Sequence, residues 1–308
     1  MSWFKLFGKK TKQAVPENSN GSFESGDLRV IVLSDMGNIR TNNEDTGMFY
    51  KVTDDHVLRE KGYLLIVADG MGGHQAGEVA SRMAGDIISR EYFNQTGNGG
   101  VEKNLARVFA LANKSIFEKA RSQKAYNGMG TTCTALVVID KTVYYAHVGD
   151  SRAYMQKGDS IVQITEDHTF VQELVKNGDI TADEAASHPK RNILTNAMGT
   201  KPELRIDTGK CPLSFENNDR LLICSDGLYD YLSNEELKEI LQKEGLKNAA
   251  GFMVNQAKAR GGHDNITVVL AERAAINNEP ENGLKLTRDV ELPKLTRDAD
   301  LPSDTSPA

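Results

Sequence analysis

The chain has 308 residues, of which 39% are hydrophobic, and it carries a formal net charge of −6 with a sequence pI near 5.6. This length and apolar fraction allow one large domain or two small ones with a buried core. The acidic balance, with no dense Lys/Arg run in the central region, argues against a nucleic acid partner.

The sequence indicates a cytoplasmic protein. Its three cysteines, Cys133, Cys211 and Cys224, form no C-x-x-C pair and no metal-ligand spacing, which is typical of a reducing compartment. The N-terminal MSWFKLFGKK has Lys5 inside a short apolar run and no small-residue cleavage site, so we expect no secretory signal. No stretch approaches the roughly 20 apolar residues that span a bilayer.

Residues 1–25 predict a flexible basic segment, because they are rich in Lys, Asn, Ser and Gly and have no sustained periodicity. Apolar residues alternate with lysines over 1–12, namely Trp3, Phe4, Leu6 and Phe7 with Lys5, Lys9, Lys10 and Lys12. Such a stretch predicts weak contact with an anionic membrane surface. A flexible tail without this contact is the alternative.

The body of the chain, 26–275, alternates between strand and helix periods. Five runs rich in β-branched and aromatic residues predict strands over Leu28–Leu33, Tyr63–Ala68, Thr131–Ile139, Val143–Val148 and Ile266–Ala271. Apolar residues on one helical face predict helices over about 76–93 and 101–122. Capping boxes predict two more, beginning after Thr181 and after Ser233.

The order of these elements predicts an α+β fold. Tight turns such as Lys157-Gly158-Asp159 favour antiparallel pairing of neighbouring strands. Two strand-rich blocks flank two consecutive long helices, so we expect two stacked sheets with helices outside.

Residues 276–308 predict a disordered tail. KLTRDVELP (285–293) is followed directly by KLTRDADLP (294–302), a nine-residue repeat of mixed charge that cannot bury enough surface to fold alone. Thr287 and Thr296 occupy equivalent places in it, which suggests recognition by a kinase or by a phosphopeptide-binding domain.

Three aspartates lie beside predicted strands. Asp69 follows the second strand, Asp226 follows Leu221–Ser225, and Asp264 precedes the last strand. Aspartate oxygens without Cys or paired His ligands suit Mg²⁺ or Mn²⁺ rather than zinc. Such ions activate water for hydrolysis, most naturally of a phosphoester. A single Asp-Gly is more often a turn, so the prediction depends on the set.

The polar segment SDMGNIRTNNED (34–45) places a cation beside two acids. Arg40 is suited to hold a phosphate dianion with forked hydrogen bonds. Glu44 and Asp45 are suited to orient metal-bound waters. A polar loop with a surface salt bridge is the alternative.

Eight ordered motifs resemble the protein phosphatase 2C family, the metal-dependent protein serine/threonine phosphatases, in its bacterial form. They are SDMGNIRTNNED (34–45), ADGMGGHQAGEVAS (68–81), GMGTTCTA (128–135), HVGDSRAY (147–154), ITEDHTFVQELVKNGDI (164–180), HPKRNILTNAMG (188–199), CSDGLYD (224–230) and HDNIT (263–267). The resemblance covers nearly the whole body and implies a four-layer α-β-β-α sandwich of two stacked antiparallel sheets.

The resemblance also implies two or three Mn²⁺ or Mg²⁺ ions and their ligands. Asp69 would bridge two catalytic metals, and the carbonyl of Gly70 would complete one of them. Asp226 and Asp264 would ligate the other metal. Asp150 would form a third, weaker site with Asp226, the alternative being a turn acid between two strands.

Other roles follow from the resemblance. Arg40 would take the substrate phosphate. Eukaryotic-type members place a histidine directly after the Asp-Gly as proposed general acid, but this chain has Met71. His74 is one substitute and a metal-bound water is another. Residues 165–190, called the flap below, would lie beside the active site and admit substrate, unless they are a surface insertion that only packs.

The predicted function is metal-dependent hydrolysis of phosphoserine and phosphothreonine in proteins, reversing a serine/threonine kinase. We expect a monomer whose partners are phosphorylated proteins and the kinase. A phosphoprotein-binding pseudo-enzyme would lack a metal ligand, and none is missing. A hydrolase of small phosphoesters on the same fold is the third interpretation.

Overall fold

The computed structural model describes residues 20–50, 54–72, 75–95 and 99–274. The described strands are β1 Gly21–Ser25, β2 Leu28–Asp35, β3 Asp45–Tyr50, β4 Tyr63–Met71, β5 Gly130–Thr131, β6 Cys133–Ile139, β7 Thr142–Val148, β8 Arg152–Lys157, β9 Ser160–Gln163, β10 Asp207–Lys210, β11 Arg220–Cys224 and β12 Ile266–Arg273. The described α-helices are α1 Asp55–Lys61, α2 Gln75–Asn94, α3 Val101–Ser122, α4 Phe170–Asn177, α5 Ala182–Ala186, α6 Asp226–Tyr229, α7 Asn234–Lys243 and α8 Leu246–Ala259.

The strands form two antiparallel sheets. The first has the order β1-β2-β12-β11-β8-β9, and the second has the order β10-β7-β6-β4-β3 with the short β5 paired to β4. The predicted turn at Gly158-Asp159 is confirmed, because Lys157 pairs with Ser160 across it.

Three apolar clusters hold the layers together. Alternate residues of β4 face opposite ways, so Leu64 and Ile66 pack under α2 and α3 while Leu65 and Val67 pack against the first sheet. Burial on both faces explains why this strand is an unbroken apolar run. A third cluster joins the first sheet to α7 and α8. The predicted four-layer α-β-β-α sandwich is confirmed.

The sequence predicted the long elements well and the short ones poorly. The helices over 76–93 and 101–122 are α2 and α3, and both capping boxes are present at Thr181 and Ser233. The boundary of the N-terminal segment at residue 25 is wrong, because Gly21–Ser25 pairs with β2. Phe23 of this strand packs near Phe49, with ring centroids 6.0 Å apart, which the polar sequence around it does not reveal.

The remaining predictions for the two ends lie outside the described residues, including the basic stretch 1–12 and the repeat at 285–302. Of the helices described, none is long and apolar enough to cross a membrane. Cys133, Cys211 and Cys224 are buried and form no disulfide.

Candidate active site

Asp69 lies within β4, two residues before its end, and not beyond the strand as the sequence suggested. On one side it is paired in register with Asp45 of β3. On the other side its backbone N–H donates to Thr132 Oγ1 at 3.0 Å, and its carbonyl accepts from Thr131 Oγ1 at 2.8 Å. Both edges of the strand therefore hold the backbone that carries this carboxylate.

Asp226 is the first residue of the short helix α6, two residues after β11 ends. The next residue, Gly227, approaches the turn before β12 so closely that a Cβ there would overlap the carbonyl oxygen of Asn265. A glycine at this position therefore lets the Asp226 and Asp264 segments meet.

Ser225 connects three strands at the same place. Its Oγ donates to Asp45 Oδ2 at 2.8 Å, and the same oxygen accepts from the backbone N–H of Thr267 at 2.9 Å. This buried hydroxyl fixes one oxygen of Asp45 relative to the ends of β11 and β12. The sequence alone predicts no role for it, although it lies inside the motif CSDGLYD.

Asn265 is a second positioning residue whose role the sequence does not reveal. Its Nδ2 donates to the carbonyls of Met36 and Asn42, both at 3.0 Å, and its Oδ1 accepts from the N–H of Glu44 at 2.8 Å. One buried amide thus folds the 34–45 segment against the start of β12. A polar residue directly before a buried strand was the available signal.

Glu44 is buried between β4 and the first turn of α2. Its carbonyl accepts from Gly70 N at 3.1 Å and from Ser81 Oγ at 2.6 Å. A Cβ on Gly77 would overlap Glu44 Oε2, so the carboxylate rests against the N-terminal turn of this helix. The positive end of the helix dipole favours a negative charge at this position.

Arg40 forms an ion pair with Asp264, which precedes β12. Its Nη2 lies 2.6 Å from Asp264 Oδ2, and both side chains are partly exposed, at 49% and 37%. Solvent access at this pair places it at the mouth of the site.

The aspartates repel one another. Burial, and to a smaller extent the charge of Asp264, raise the pKa of Asp45 to about 6, although a hydrogen bond from Ser225 acts in the opposite direction. Burial first, and then the neighbouring carboxylates, raise the pKa of Asp69 well above the usual range. The same two causes raise the pKa of Asp226 well above its usual range, with Asp150 and Asp264 as its strongest neighbours. Bringing these carboxyl groups together therefore costs free energy unless a positive charge joins them.

The donor set fits a hard divalent cation. Oδ1 of Asp45 and Oδ1 of Asp226 are buried and have no hydrogen-bond partner. Unpartnered buried carboxylate oxygens are costly, and oxygen clusters of this kind are what Mg²⁺ and Mn²⁺ prefer. Among the described residues, no three Asp, Glu, His or Cys side chains are close enough to enclose an ion as placed, so the individual ligand roles stay predictions.

Asp150 lies beside Asp226, as the resemblance implied, and only 6% of it is exposed. Burial, followed by the nearby Asp167, raises the pKa of Asp150 to about 7. Tyr229 of α6 donates its hydroxyl to the Asp150 carbonyl at 3.0 Å, and Arg152 stacks over the Tyr229 ring at 3.7 Å.

Comparison with known proteins agrees with this fold. A family model described as protein phosphatase 2C matches residues 51–271. The chain belongs to the protein phosphatase 2C family.

Two relatives and two solved structures show how far the similarity extends. Serine/threonine phosphatase stp of Listeria innocua is 41% identical over 78% of this chain and 94% of its own length. Protein phosphatase PhpP of Streptococcus pneumoniae is 38% identical over 79% and 96%. The Mycobacterium tuberculosis phosphatase PstP/Ppp superposes with a TM-score of 0.71 at 35% identity, over 80% of this chain and 99% of that one. A PstP catalytic domain in complex with two manganese ions gives 0.67 at 34% identity, with the same coverage.

In this phosphatase 2C chain the flap contains α4 and α5 and borders the site. Between the flap and α6 lies a cavity of about 500 Å³. Its lining includes Asp150, Thr169, Gln172, Arg191 and Asp230. The flap therefore adjoins the predicted third metal site, although its predicted role in admitting substrate stays a prediction.

The proton donor for the leaving oxygen stays a prediction. Met71 ends β4, where eukaryotic-type members of the phosphatase 2C family have a histidine. His74 lies outside the described residues, so its role as general acid stays a prediction.

Proposed function

We propose that this serine/threonine protein phosphatase of the phosphatase 2C type uses two or three Mn²⁺ or Mg²⁺ ions and reverses the action of a serine/threonine kinase in the same cell. The observation that carries the proposal is the group of mutually repelling carboxyl groups with unpartnered oxygens on Asp45 and Asp226. When bound, such cations lower the pKa of water and neutralise charge on the phosphate.

The chain's carboxylates have distinct places in this proposal. Asp69, whose backbone is hydrogen-bonded to Thr131 and Thr132, would bind both catalytic cations, with the carbonyl of Gly70 beside it. Asp226 and Asp264 would complete the binding of one cation, and Asp150 with Asp226 would bind a third.

Two neighbouring acids orient water. Asp45 has one oxygen fixed by Ser225 and one without a partner, so the free oxygen can accept a hydrogen bond from a water at the site. Glu44 is held against the first turn of α2, where its carboxylate lies beside Gly77. Fixed acceptors of this kind set the direction from which water approaches phosphorus.

Arg40 binds the phosphate. Its guanidinium is half-exposed, and the bond to Asp264 shows that it reaches the edge of the carboxylate group. A planar guanidinium gives two parallel hydrogen bonds to a phosphate dianion, which fixes the ester in one orientation. Met71 cannot protonate the leaving oxygen, so His74 or a water at the site fills that role.

The test is hydrolysis of an aryl phosphate and of a phosphothreonine peptide with and without Mn²⁺. EDTA, Asp226→Ala and Asp264→Ala should each abolish turnover, whereas Asp55→Ala, an exposed acid of α1, should leave it intact. Activity that survives chelation or either active-site substitution would contradict the mechanism. Much faster turnover of small phosphoesters than of phosphopeptides would favour the metabolite hydrolase.

The proposed partners are phosphorylated proteins and the kinase that modifies them. We place the reaction in the cytoplasm, because three buried cysteines without disulfides suit a reducing compartment. The protein acts as a monomer in this proposal, which sedimentation at enzymatic concentrations would test. Comparing the phosphoproteins of cells with and without the gene would identify the substrates.

A further inference from the structure

His168 is a buried residue at the start of the flap whose backbone joins three parts of the chain. Its N–H donates to the carbonyl of Gly149 at 2.7 Å, and its own carbonyl accepts from the N–H of Thr195 at 2.9 Å. The next residue, Thr169, pairs with Leu194 across an antiparallel bridge. The chain entering the flap and the chain leaving it are therefore both attached at His168.

The imidazole ring makes the second set of contacts. Nδ1 accepts from the N–H of Gly149 at 3.1 Å and from Asn196 Nδ2 at 2.8 Å. A backbone N–H can only donate, so Nδ1 carries a lone pair and the ring proton is on Nε2. Nε2 donates that proton to Asp207 Oδ2 at 3.0 Å, and burial lowers the pKa of His168, which favours the same neutral ring.

Gly149 transmits this arrangement to the site because it directly precedes Asp150. Its φ of +106° is a conformation that other residues rarely adopt, and a Cβ would contact Thr132. Thr132 is the residue that accepts the N–H of Asp69. Gly149 is therefore held by His168 on one side and by Thr132 on the other, and this decides where Asp150 points.

We propose that His168 is a positioning residue that sets Asp150 for the third cation and couples this ligand to the flap. The inference rests on the proposed function only in assigning a cation to Asp150. Loss of the Nδ1 acceptor removes one hydrogen bond from the N–H of Gly149 and one from the Asn196 amide, while the backbone bonds of His168 remain. The Asp150 turn and the return segment of the flap are then coupled less tightly.

Two substitutions separate positioning from simple core packing. In His168→Asn the amide oxygen takes the place of Nδ1 and still accepts from Gly149, but the side chain does not reach Asp207. In His168→Gln the side chain reaches Asp207 but places no acceptor opposite Gly149. A core-packing role predicts no preference for the shorter amide.

The first measurement is direct binding of Mn²⁺ to the whole protein. Electron paramagnetic resonance of the free Mn²⁺ detects this binding. His168→Gln should weaken the weakest binding step about tenfold, as expected for one lost hydrogen bond to a buried group. His168→Asn should stay within about threefold of the parent, and Asp150→Asn should remove the step. If the parent binds no Mn²⁺ and hydrolyses nothing, the proposed function fails; equal effects of both His168 variants overturn only the present inference.

The second measurement needs no metal. Trypsin in EDTA should cut His168→Gln several times faster than the parent after Lys176, Lys190 and Arg191, which lie in or beside the flap. Cleavage after Lys243, exposed in α7, should stay unchanged and serves as the internal reference. Equal acceleration at all four sites would indicate general destabilisation and would overturn the coupling.

Discussion

Arg40 donates a hydrogen bond to Asp264 over 224 residues of sequence, with Nη2 and Oδ2 2.6 Å apart. The side chain predicted to hold the substrate phosphate thus binds a predicted metal ligand. Under the proposed function, a divalent cation at Asp264 would compete with the guanidinium for that carboxylate. Cation binding would then free Arg40 to turn toward a phosphate.

Arg40→Ala should separate phosphate binding from metal binding. We expect KM for an aryl phosphate to rise about 10- to 100-fold, because a charge-assisted hydrogen bond contributes about 1.5 to 3 kcal/mol. The Mn²⁺ concentration for half-maximal rate should not rise, because a competitor for Asp264 has been removed. Steady-state kinetics over a Mn²⁺ series measures both, and a higher Mn²⁺ requirement would contradict the exchange.

Asp226→Asn should stabilise the metal-free protein. The substitution keeps the shape of the side chain and removes its repulsion with Asp69 and Asp150. The charge of Asp226 raises the pKa of Asp69, and the charge of Asp150 raises the pKa of Asp226. We expect Tm in EDTA to rise by about 2 to 4 °C, equivalent to about 1 kcal/mol for a domain of this size. The rise in Tm on adding Mn²⁺ should disappear with the activity.

Asp219→Asn is the matched control for that experiment. Asp219 is also buried, but its Oδ2 binds Lys157 at 2.6 Å and the N–H of Glu216 at 2.7 Å. Removing a paired charge leaves the lysine without its partner, so this variant should lower Tm. Similar shifts in the two variants would show that electrostatic repulsion is not the cause.

Gly227→Ala should disturb the site through its backbone. The added Cβ would overlap the Asn265 carbonyl, so α6 and the turn before β12 must separate. We expect a loss of more than about 2 kcal/mol in the free energy of unfolding and a weaker response to Mn²⁺. Gly251→Ala in α8 is the control, because a Cβ there meets nothing within 4 Å. It should gain about 0.5 to 1 kcal/mol, and urea unfolding measures both.

His147 should make the protein less stable in acid. Burial, and then the neighbouring His168, lower the pKa of His147 to about 3, whereas an unfolded histidine titrates near 6.5. Below pH 6.5 the unfolded chain therefore binds a proton that the folded chain does not, and stability falls as pH falls. Between pH 7 and pH 5 this amounts to about 2 kcal/mol.

Urea unfolding at pH 7 and at pH 5 gives the free energy of unfolding at each pH, and the difference between the two values measures this contribution. His147→Asn should lose less stability than the parent on going to pH 5, because it has no ring to protonate. His56→Asn, at an exposed position on α1, should behave like the parent. An unchanged pH dependence in His147→Asn would exclude this origin.

The sequence predicted the elements whose pattern depends on near neighbours. Tyr63–Ala68 reads as a strand because every residue is apolar, and α2 and α3 read as helices because their apolar residues fall on one face. β3 escaped prediction because DTGMFY mixes a carboxylate and a glycine with apolar residues. β3 is a strand because it pairs with β4, and no local sequence pattern predicts that pairing.

For the site, the residues themselves were in the motifs, and Asp69, Asp226 and Asp264 were named from the sequence alone. Their surroundings were not. Only the tertiary structure decided that Arg40 binds Asp264, that Asn265 holds the 34–45 segment, and that His168 joins Gly149 to both ends of the flap. Periodicity records burial along neighbouring residues, whereas these contacts depend on how strands distant in sequence are packed together.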